Sequence, residues 1–351
     1  MTRFVGAAIA ALVLGVAAVP ATAHSRGFNR PGDILIADQF NNRVVEINAH
    51  HEIVWSFGNG SIVPGPHSVV GVNDAERVGN LTLIAGTGSP PSPSPSEPGC
   101  EKNGCADNRV FFVNADGKIV WQYGEAGVTG SGPNQLNTPV FAAALPGHHV
   151  LITDQGNARV IEVNHAKQIV WQYGMTGVSG DRPGQLNNPN SAELLRNGHI
   201  LIADENNNRV IEVTREGHIV WQYGVPSNTN IINGAAFASR LPNGDTLITD
   251  AGNSRAVEVN QDKQVVWSYV TNKRPGSIEA PLPTRAVRLD NGDTLISDQF
   301  NDQVIEVNHD KQIVFTQGMI NVDGTGFNQL NAPYDAKRIG DYTGLTNPIG
   351  H

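Results

Sequence analysis

Gly198-His-Ile-Leu-Ile-Ala-Asp204 runs on through Asn208-Arg209-Val-Ile-Glu-Val213 to Ile219-Val-Trp-Gln-Tyr-Gly224. Three short runs rich in Ile, Val and aromatics are separated by turn residues, so the stretch reads as three β-strands joined by two tight turns. The same order returns at 33–58, 148–174, 244–270 and 292–318, and in a broken copy from Thr82 through Arg109 to Gly124. Its arginine recurs as Arg43, Arg109, Arg159, Arg209 and Arg255, with Gln303 in sixth place. Its tryptophan recurs as Trp55, Trp121, Trp171, Trp221 and Trp267, with Phe315 sixth. Both series advance by 66, 50, 50, 46 and 48 residues, so the copies share one register.

A period in the forties with several strands per unit is the mark of propeller blades. The first unit has strands at Ile34–Asp38, Val44–Asn48 and Ile53–Phe57, with none before them. Later units carry an additional, innermost strand in Pro66–Val72, Pro139–Leu145, Asn190–Leu195, Ala235–Leu241 and Thr284–Leu289. The strand missing from blade one lies at the other end of the chain. Gln329-Leu-Asn-Ala-Pro333 repeats the leaders Gln135-Leu-Asn-Thr-Pro139 and Gln185-Leu-Asn-Asn-Pro189, and Tyr334 to Ile339 follows it. The expected fold is therefore all-β: one six-bladed β-propeller of four-stranded blades over 24–351, closed by the C-terminal strand completing blade one. Closure removes the open sheet edge that would otherwise template association. Leu-Ile-x-Asp and Val-Ile-Glu-Val are continuously apolar because blades pack face to face and bury both faces of each strand. The Trp and Tyr of the fourth strand are expected to fill the outer part of the wedge between blades.

With 38 Gly and 21 Pro among 351 residues, the composition suits turn-rich β-structure. The net charge of -9 argues against a nucleic-acid partner, which needs a clustered basic surface. Thr2-Arg3, the apolar run Phe4 to Val19 and Ala21-Thr22-Ala23 read as a signal peptide over 1–23, cleaved before His24. A retained membrane anchor is the competing reading, but the apolar run is short and rich in small residues. No later stretch reaches membrane-spanning length, so a secreted or periplasmic monomer is expected.

Blade two replaces a five-residue turn with the insert 87–107, which carries a Pro-rich half and then Cys100 and Cys105. In an oxidising compartment these two cysteines most simply form a local disulfide. Zinc binding is the rival, and it lacks two further ligands. The Pro-rich half should be extended polyproline II. Neither a P-loop nor a G-x-G-x-x-G after a strand is present in the sequence, and no cofactor or metal is expected.

Leu-Ile-x-Asp, x-x-Asn-x-Arg-Val-x-Glu-Val and Ile-Val-Trp-x-Tyr-Gly together resemble the NHL-type β-propeller repeat, in six copies over essentially the whole mature chain. The Leu-Pro-Asn-Gly-Asp-Thr-Leu-Ile-Thr-Asp250 variant is also similar to repeats of arylsulfotransferase-like propellers. The first resemblance implies a binding module, since NHL-type propellers mostly bind protein or other ligands and a minority are enzymes. The second implies a channel histidine that accepts a sulfo group.

The repeated Asp–Arg pairs, such as Asp154 with Arg159, and the glutamates Glu46, Glu162, Glu212, Glu258 and Glu306 read as scaffold, because six like sites around a ring do not make one active site. Turn histidines, including the pair His148-His149, lack a third ligand for a metal. Function is better sought where the repeats differ. The inner-strand residues after the Pro landmark are unequal: His67 and Ser68, Val140 and Phe141, Asn190 and Ser191, Ala236 and Phe237, Thr284 and Arg285, Tyr334 and Asp335. His67, Asn190, Arg285, Tyr334 and Asp335 are thus candidate ligand groups at a channel mouth, with Phe40 and Phe300 beside them and the insert on the same face. Solvation of a water-filled channel by these groups is the alternative. Under the sulfotransferase likeness, His67 would be the nucleophile and Arg285 the anion stabiliser. A metal-dependent lactonase-like site would need inner-strand acids, of which only Asp335 is recognised. The leading reading is a protein- or ligand-binding module acting through the channel-mouth face.

Overall fold

A computed structural model describes residues 27–91 and 97–341. The expected signal peptide, the centre of the Pro-rich run and the final residues lie outside the described residues. Blade 1 contains β1 (Ile34–Asp38), β2 (Arg43–Ile47) and β3 (Ile53–Phe57). Blade 2 contains β4 (Val72–Val78), β5 (Leu81–Ser89), β6 (Cys105–Asn114) and β7 (Ile119–Tyr123), and blade 3 has β8 (Pro139–Leu145), β9 (His149–Asp154), β10 (Arg159–Val163) and β11 (Ile169–Tyr173). Blade 4 comprises β12 (Pro189–Leu194), β13 (Ile200–Asp204), β14 (Arg209–Val213) and β15 (Ile219–Gly224). Blade 5 has β16 (Ala235–Arg240), β17 (Thr246–Asp250), β18 (Arg255–Val259) and β19 (Val265–Val270), and blade 6 has β20 (Pro283–Arg288), β21 (Thr294–Asp298), β22 (Gln303–Val307) and β23 (Ile313–Gln317). The last strand, β24 (Pro333–Arg338), pairs antiparallel with β1, from Ile34 opposite Arg338 to Ala37 opposite Asp335. Each of the six sheets has four strands, and the ring closes as the sequence implies.

Both faces of the middle strands are buried, as the unbroken apolar runs require: every residue of β10, β14 and β22 is enclosed. Apolar clusters straddle neighbouring blades rather than sitting within one. Tyr173 of blade 3 packs with Ile211 and Val213 of blade 4, and Tyr123 of blade 2 with Ile161 and Val163 of blade 3. Tryptophan adds a polar link across the same boundary. Trp55 Nε1 donates to Ala115 O at 2.9 Å, and Trp171 Nε1 to Arg215 O at 2.9 Å, in each case reaching the outer hairpin of the next blade. The amphipathic indole thus fills the wedge and ties its rim.

Blade 2 departs from the expectation. Its inner strand is Val72–Val78, not Pro66–Val72, because this blade has no Gln-Leu-Asn-x-Pro leader and Pro66 lies at a turn bridged from Gly65 to Ser68. The insert is also partly strand: the β5–β6 ladder continues through Gly88 opposite Ala106 and Ser89 opposite Cys105. Cys100 and Cys105 are disulfide-bonded. Glu97 is buried and accepts hydrogen bonds from Asn42 Nδ2 and Ser89 Oγ, so the insert leans on blade 1. Among the described residues no helix is long and apolar enough to cross a membrane.

The repeated charges are structural. Asp154 takes Arg159 Nε at 2.7 Å and the backbone N–H of Asn137 at 2.8 Å, tying strand, turn and leader together. The same pair recurs as Asp38–Arg43, Asp204–Arg209 and Asp250–Arg255. In blade 2 the acid moves to Asp107, whose carboxyl lies against Gly86, where an added Cβ would sit 2.7 Å from the Asp107 carboxyl carbon. Glutamates of the third strands reach across to the next blade's inner strand: Glu46–Arg77 at 2.6 Å, Glu212–Arg240 at 2.9 Å, Glu258–Arg288 at 2.8 Å, and Glu306–Arg338. Between blades 2 and 3 both partners change together, to Phe112 and Ala144, and both join one apolar cluster. Glu162 instead takes Arg215 and His149, the latter at 2.6 Å. Burial pushes its carboxyl up, but the hydrogen bonds from His149 and Arg215 outweigh that and hold it below the usual range.

Candidate functional site

The inner strands run from the face that carries the turns between the second and third strands of each blade. Aligned from their first residue, they give a level of Asn73, Val140, Asn190, Ala236, Thr284 and Tyr334. Next comes Asp74, Phe141, Ser191, Phe237, Arg285 and Asp335, then alanine in all six blades, then Glu76, Ala143, Glu193, Ser239, Val287 and Lys337. The sequence reading found Asn190, Arg285, Tyr334 and Asp335 and missed Asp74, Glu76, Glu193 and Lys337. The six-residue misplacement of blade 2's inner strand hid the first two. Inner-strand acids are therefore more numerous than expected.

An innermost strand has a free edge whose N–H groups need acceptors. These acids supply them from the preceding blade. Asp335 Oδ2 accepts from Ala75 N at 3.3 Å, Asp74 Oδ2 from Ala142 N at 3.2 Å, Glu76 Oε2 from Ala144 N at 3.0 Å and Glu193 Oε2 from Arg240 N at 2.9 Å. Ser191 Oγ does the same for Ala238 N at 3.3 Å. Lys337 Nζ, from the closing strand, donates to Asp335 at 2.5 Å, Asp74 at 2.8 Å and Ala75 O at 3.0 Å. Burial alone would lower the lysine pKa, but Asp335, Asp74 and Glu76 raise it above its ordinary value. Burial in turn raises Asp74 to about 6 and Glu76 to about 8 against the pull of Lys337. Glu193 is pushed well above the carboxylate range by burial, with Arg240 opposing.

Arg285 closes the axis. It is 0% exposed. Its Nη1 donates to Asn190 Oδ1 at 3.0 Å and to the carbonyls of Ala236 and Thr284, and Nη2 donates to Val140 O at 3.2 Å. The guanidinium also stands 5.0 Å from the Tyr334 ring and 5.2 Å from that of Phe237. Asn190 Nδ2 donates to the Tyr334 hydroxyl and to Glu205 Oε2, both at 2.9 Å. Burial, opposed by the Asn190 hydrogen bond, raises Glu205 above its ordinary range. Above this level, Gln299 Nε2 donates to Gln39 Oε1 at 2.7 Å, and Gln39 Nε2 to Asn73 Oδ1 at 2.9 Å.

The side chains expected to line an open mouth thus form a buried plug. Phe40 and Phe300 are half-buried beside it, in the turns whose first residues are the bonded Gln39 and Gln299. His67 is not among these groups. It is exposed in the connector before β4, in the turn whose carbonyls at Gly65 and Ser68 accept from Arg109. Among the described residues no group of three or more His, Cys, Asp or Glu is placed to hold a metal ion.

No protein-family profile matches this sequence, and no curated protein matches it. Solved structures do match its shape. A protein of unknown function from Bacteroides caccae superposes with a TM-score of 0.57 at 18% identity, over 83% of this chain and 97% of that one. Virginiamycin B lyase from Staphylococcus aureus gives 0.52 at 12%, over 84% and 86%. A chain of the nidogen/laminin complex gives 0.51 at 11%, over 81% and 92%. The likeness is one of fold. At such identities the β-propeller is shared, and chemistry is not carried with it.

Proposed function

We propose that this chain is an exported NHL-like propeller that binds a protein partner through the face carrying the turns of Phe40 and Phe300 and the blade-2 insert. One observation carries the reading: the channel is filled at that face by Arg285 and its partners, which favours a platform over a deep small-molecule pocket. The Gln39–Gln299 hydrogen bond brings together the two turns that carry Phe40 and Phe300, and the Glu97–Asn42 contact sets the insert beside them. Half-exposed aromatics on a rigid surface are the usual anchors of protein interfaces. The nidogen/laminin likeness supports such a use of the fold, and the disulfide suits an oxidising compartment.

The sulfotransfer alternative requires His67 and Arg285 on one wall. The former is an exposed connector residue and the latter is buried.

The test presents immobilised wild-type chain and the Phe40→Ser/Phe300→Ser variant to the secreted proteins of its own host, with captured proteins compared by mass spectrometry. A partner retained by wild type and lost by at least tenfold in the variant is the expected result. Equal retention by both, or none by either, overturns the reading.

A further inference from the structure

Six glycines of the chain directly follow an asparagine: Gly60, Gly104, Gly198, Gly234, Gly244 and Gly292. With no Cβ to hinder the approach, the backbone nitrogen of such a glycine is well placed to attack the preceding side-chain amide. The nitrogen must lose its proton to do so. A glycine N–H that donates a hydrogen bond within the fold is therefore withheld from the reaction. Five of the six donate. Gly198 N gives to Leu195 O at 2.8 Å, and Gly244 N to Leu241 O and Gly292 N to Leu289 O, both at 2.9 Å, in the hairpins between the first two strands of blades 4, 5 and 6. Gly104 N gives to Cys100 O at 2.8 Å inside the disulfide loop, and Gly234 N to Asn208 Oδ1 at 2.9 Å. Gly60 N has no partner among the described residues.

The asparagine side chains sharpen the contrast. Asn59 Oδ1 accepts from Ser61 N at 3.1 Å, just as Asn197, Asn243 and Asn291 each accept from the residue two further on. That bond folds the carboxamide back towards the glycine nitrogen and polarises its carbonyl in all four. In the three hairpins a carboxylate then holds the amide nitrogen as well: Glu212 at 3.1 Å from Asn197, Asp245 at 3.0 Å from Asn243 and Asp293 at 2.9 Å from Asn291. Asn59 Nδ2 has no such acceptor among the described residues. Asn59 and Gly60 are both exposed, in the connector from blade 1 to blade 2.

We infer that Asn59 is a site of covalent self-modification. Hydroxide takes the proton of Gly60 N, the nitrogen forms a bond to Asn59 Cγ, and the bond from Cγ to Nδ2 breaks, releasing ammonia. The succinimide ring that results takes up one water at either of its two carbonyls. One opening leaves aspartate at position 59, and the other leaves isoaspartate, with the backbone routed through the side-chain carbons. Both products add a negative charge beside the Phe40 turn, since a Cβ built on Gly60 would lie 3.9 Å from Asn41 O. The step needs only water and base, and it stands independently of the partner proposed above.

The test incubates the folded chain in mildly alkaline heavy-oxygen water, so that every acid formed during the incubation carries the isotope. Peptides are cut with pepsin in ordinary acidic water, where the reaction is slow, and assigned by mass spectrometry. Label at position 59 should grow at least about fivefold faster than at any of the other five asparagines, the factor set by breaking one net hydrogen bond to free the nitrogen. In urea, with the disulfide reduced, those five should accelerate by at least about fivefold towards the rate at Asn59, because unfolding releases their N–H groups. Another Asn-Gly pair reacting as fast as Asn59 in the folded chain would overturn the proposal. So would a folded chain in which Asn59 takes up no label, or rates at the other five that do not rise on unfolding.

Discussion

Lys337 Nζ stands 2.8 Å from Asp74 Oδ1, so the strand that ends the described chain is pinned by charge to the innermost strand of blade 2. The same ammonium holds Asp335, its own strand neighbour. Replacing it by methionine keeps the stem and removes the charge, leaving two buried carboxylates with Arg285, 4.0 Å from Asp335, as their nearest remaining cation among the described residues. Breaking one side of a buried ion pair costs about 3–5 kcal/mol. Lys337→Met should lose that much in urea unfolding, and adding Asp74→Asn and Asp335→Asn should recover most of it. A cost below about 1 kcal/mol would mean that the axis is far more hydrated than its burial indicates.

Glu76 gives the fold a pH dependence of definite sign. Burial raises its carboxyl from 4.5 to about 8, so the folded chain holds a proton that the unfolded chain has released. Where the folded state binds more protons, the free energy of unfolding falls as pH rises. The contribution is complete below about pH 4.5 and is lost progressively up to about pH 8, at no more than ~1.4 kcal/mol per pH unit. Asp74, raised to about 6, adds a loss of the same sign over a lower window. Urea unfolding at pH 5, 6.5 and 8 should show this decline in the wild type and a shallower one in Glu76→Gln. Equal slopes in both would remove Glu76 as the source.

The inter-blade pair Glu258–Arg288 has an apolar counterpart within the same molecule, Phe112 with Ala144. Arg288→Ala alone strands a carboxylate that is 8% exposed and should cost about 2–3 kcal/mol. The double change Glu258→Phe/Arg288→Ala converts one boundary into the other's chemistry and should cost less than either single change. A double-mutant cycle on unfolding free energies measures the difference.

The ring was legible because its signals are local and sixfold: Asp38, Arg43 and Trp55 recur in register, and the borrowed strand announces itself in Gln329-Leu-Asn-Ala-Pro333. The axis was less so. Blade 2 lacks that leader, and a strand located by its proline landmark was set six residues early, which put His67 in the place of Asn73 and hid Asp74 and Glu76. Composition at an inner strand also says nothing about whether a side chain faces open space or a neighbouring blade's N–H groups. Arg285 looks the same in sequence as mouth lining and as plug. The Glu–Arg links escaped notice because each joins residues about thirty apart on different blades. The seam was visible as Gln303 and Phe315 in sixth place, but that Gln317 and Phe327 border one cavity follows only from the closure.

The sixth place also supplies the sharpest test of the repeat as a physical code. Asp298 has lost its own-blade arginine to Gln303, and Arg274, from the connector between blades 5 and 6, donates to both of them. Asp298 is 0% exposed, so a guanidinium there is needed whatever its origin. Arg274→Ala should destabilise by about 3–5 kcal/mol, as expected for a buried carboxylate left alone. Gln303→Arg places the cation where Arg159 and Arg209 hold theirs, 2.7 Å from Asp154 and Asp204. The Arg274→Ala/Gln303→Arg chain should therefore regain most of the loss in urea unfolding. Failure of the second arginine to restore stability would mean that the turn around Asn301 has adapted to the connector and no longer accepts the repeat's own solution.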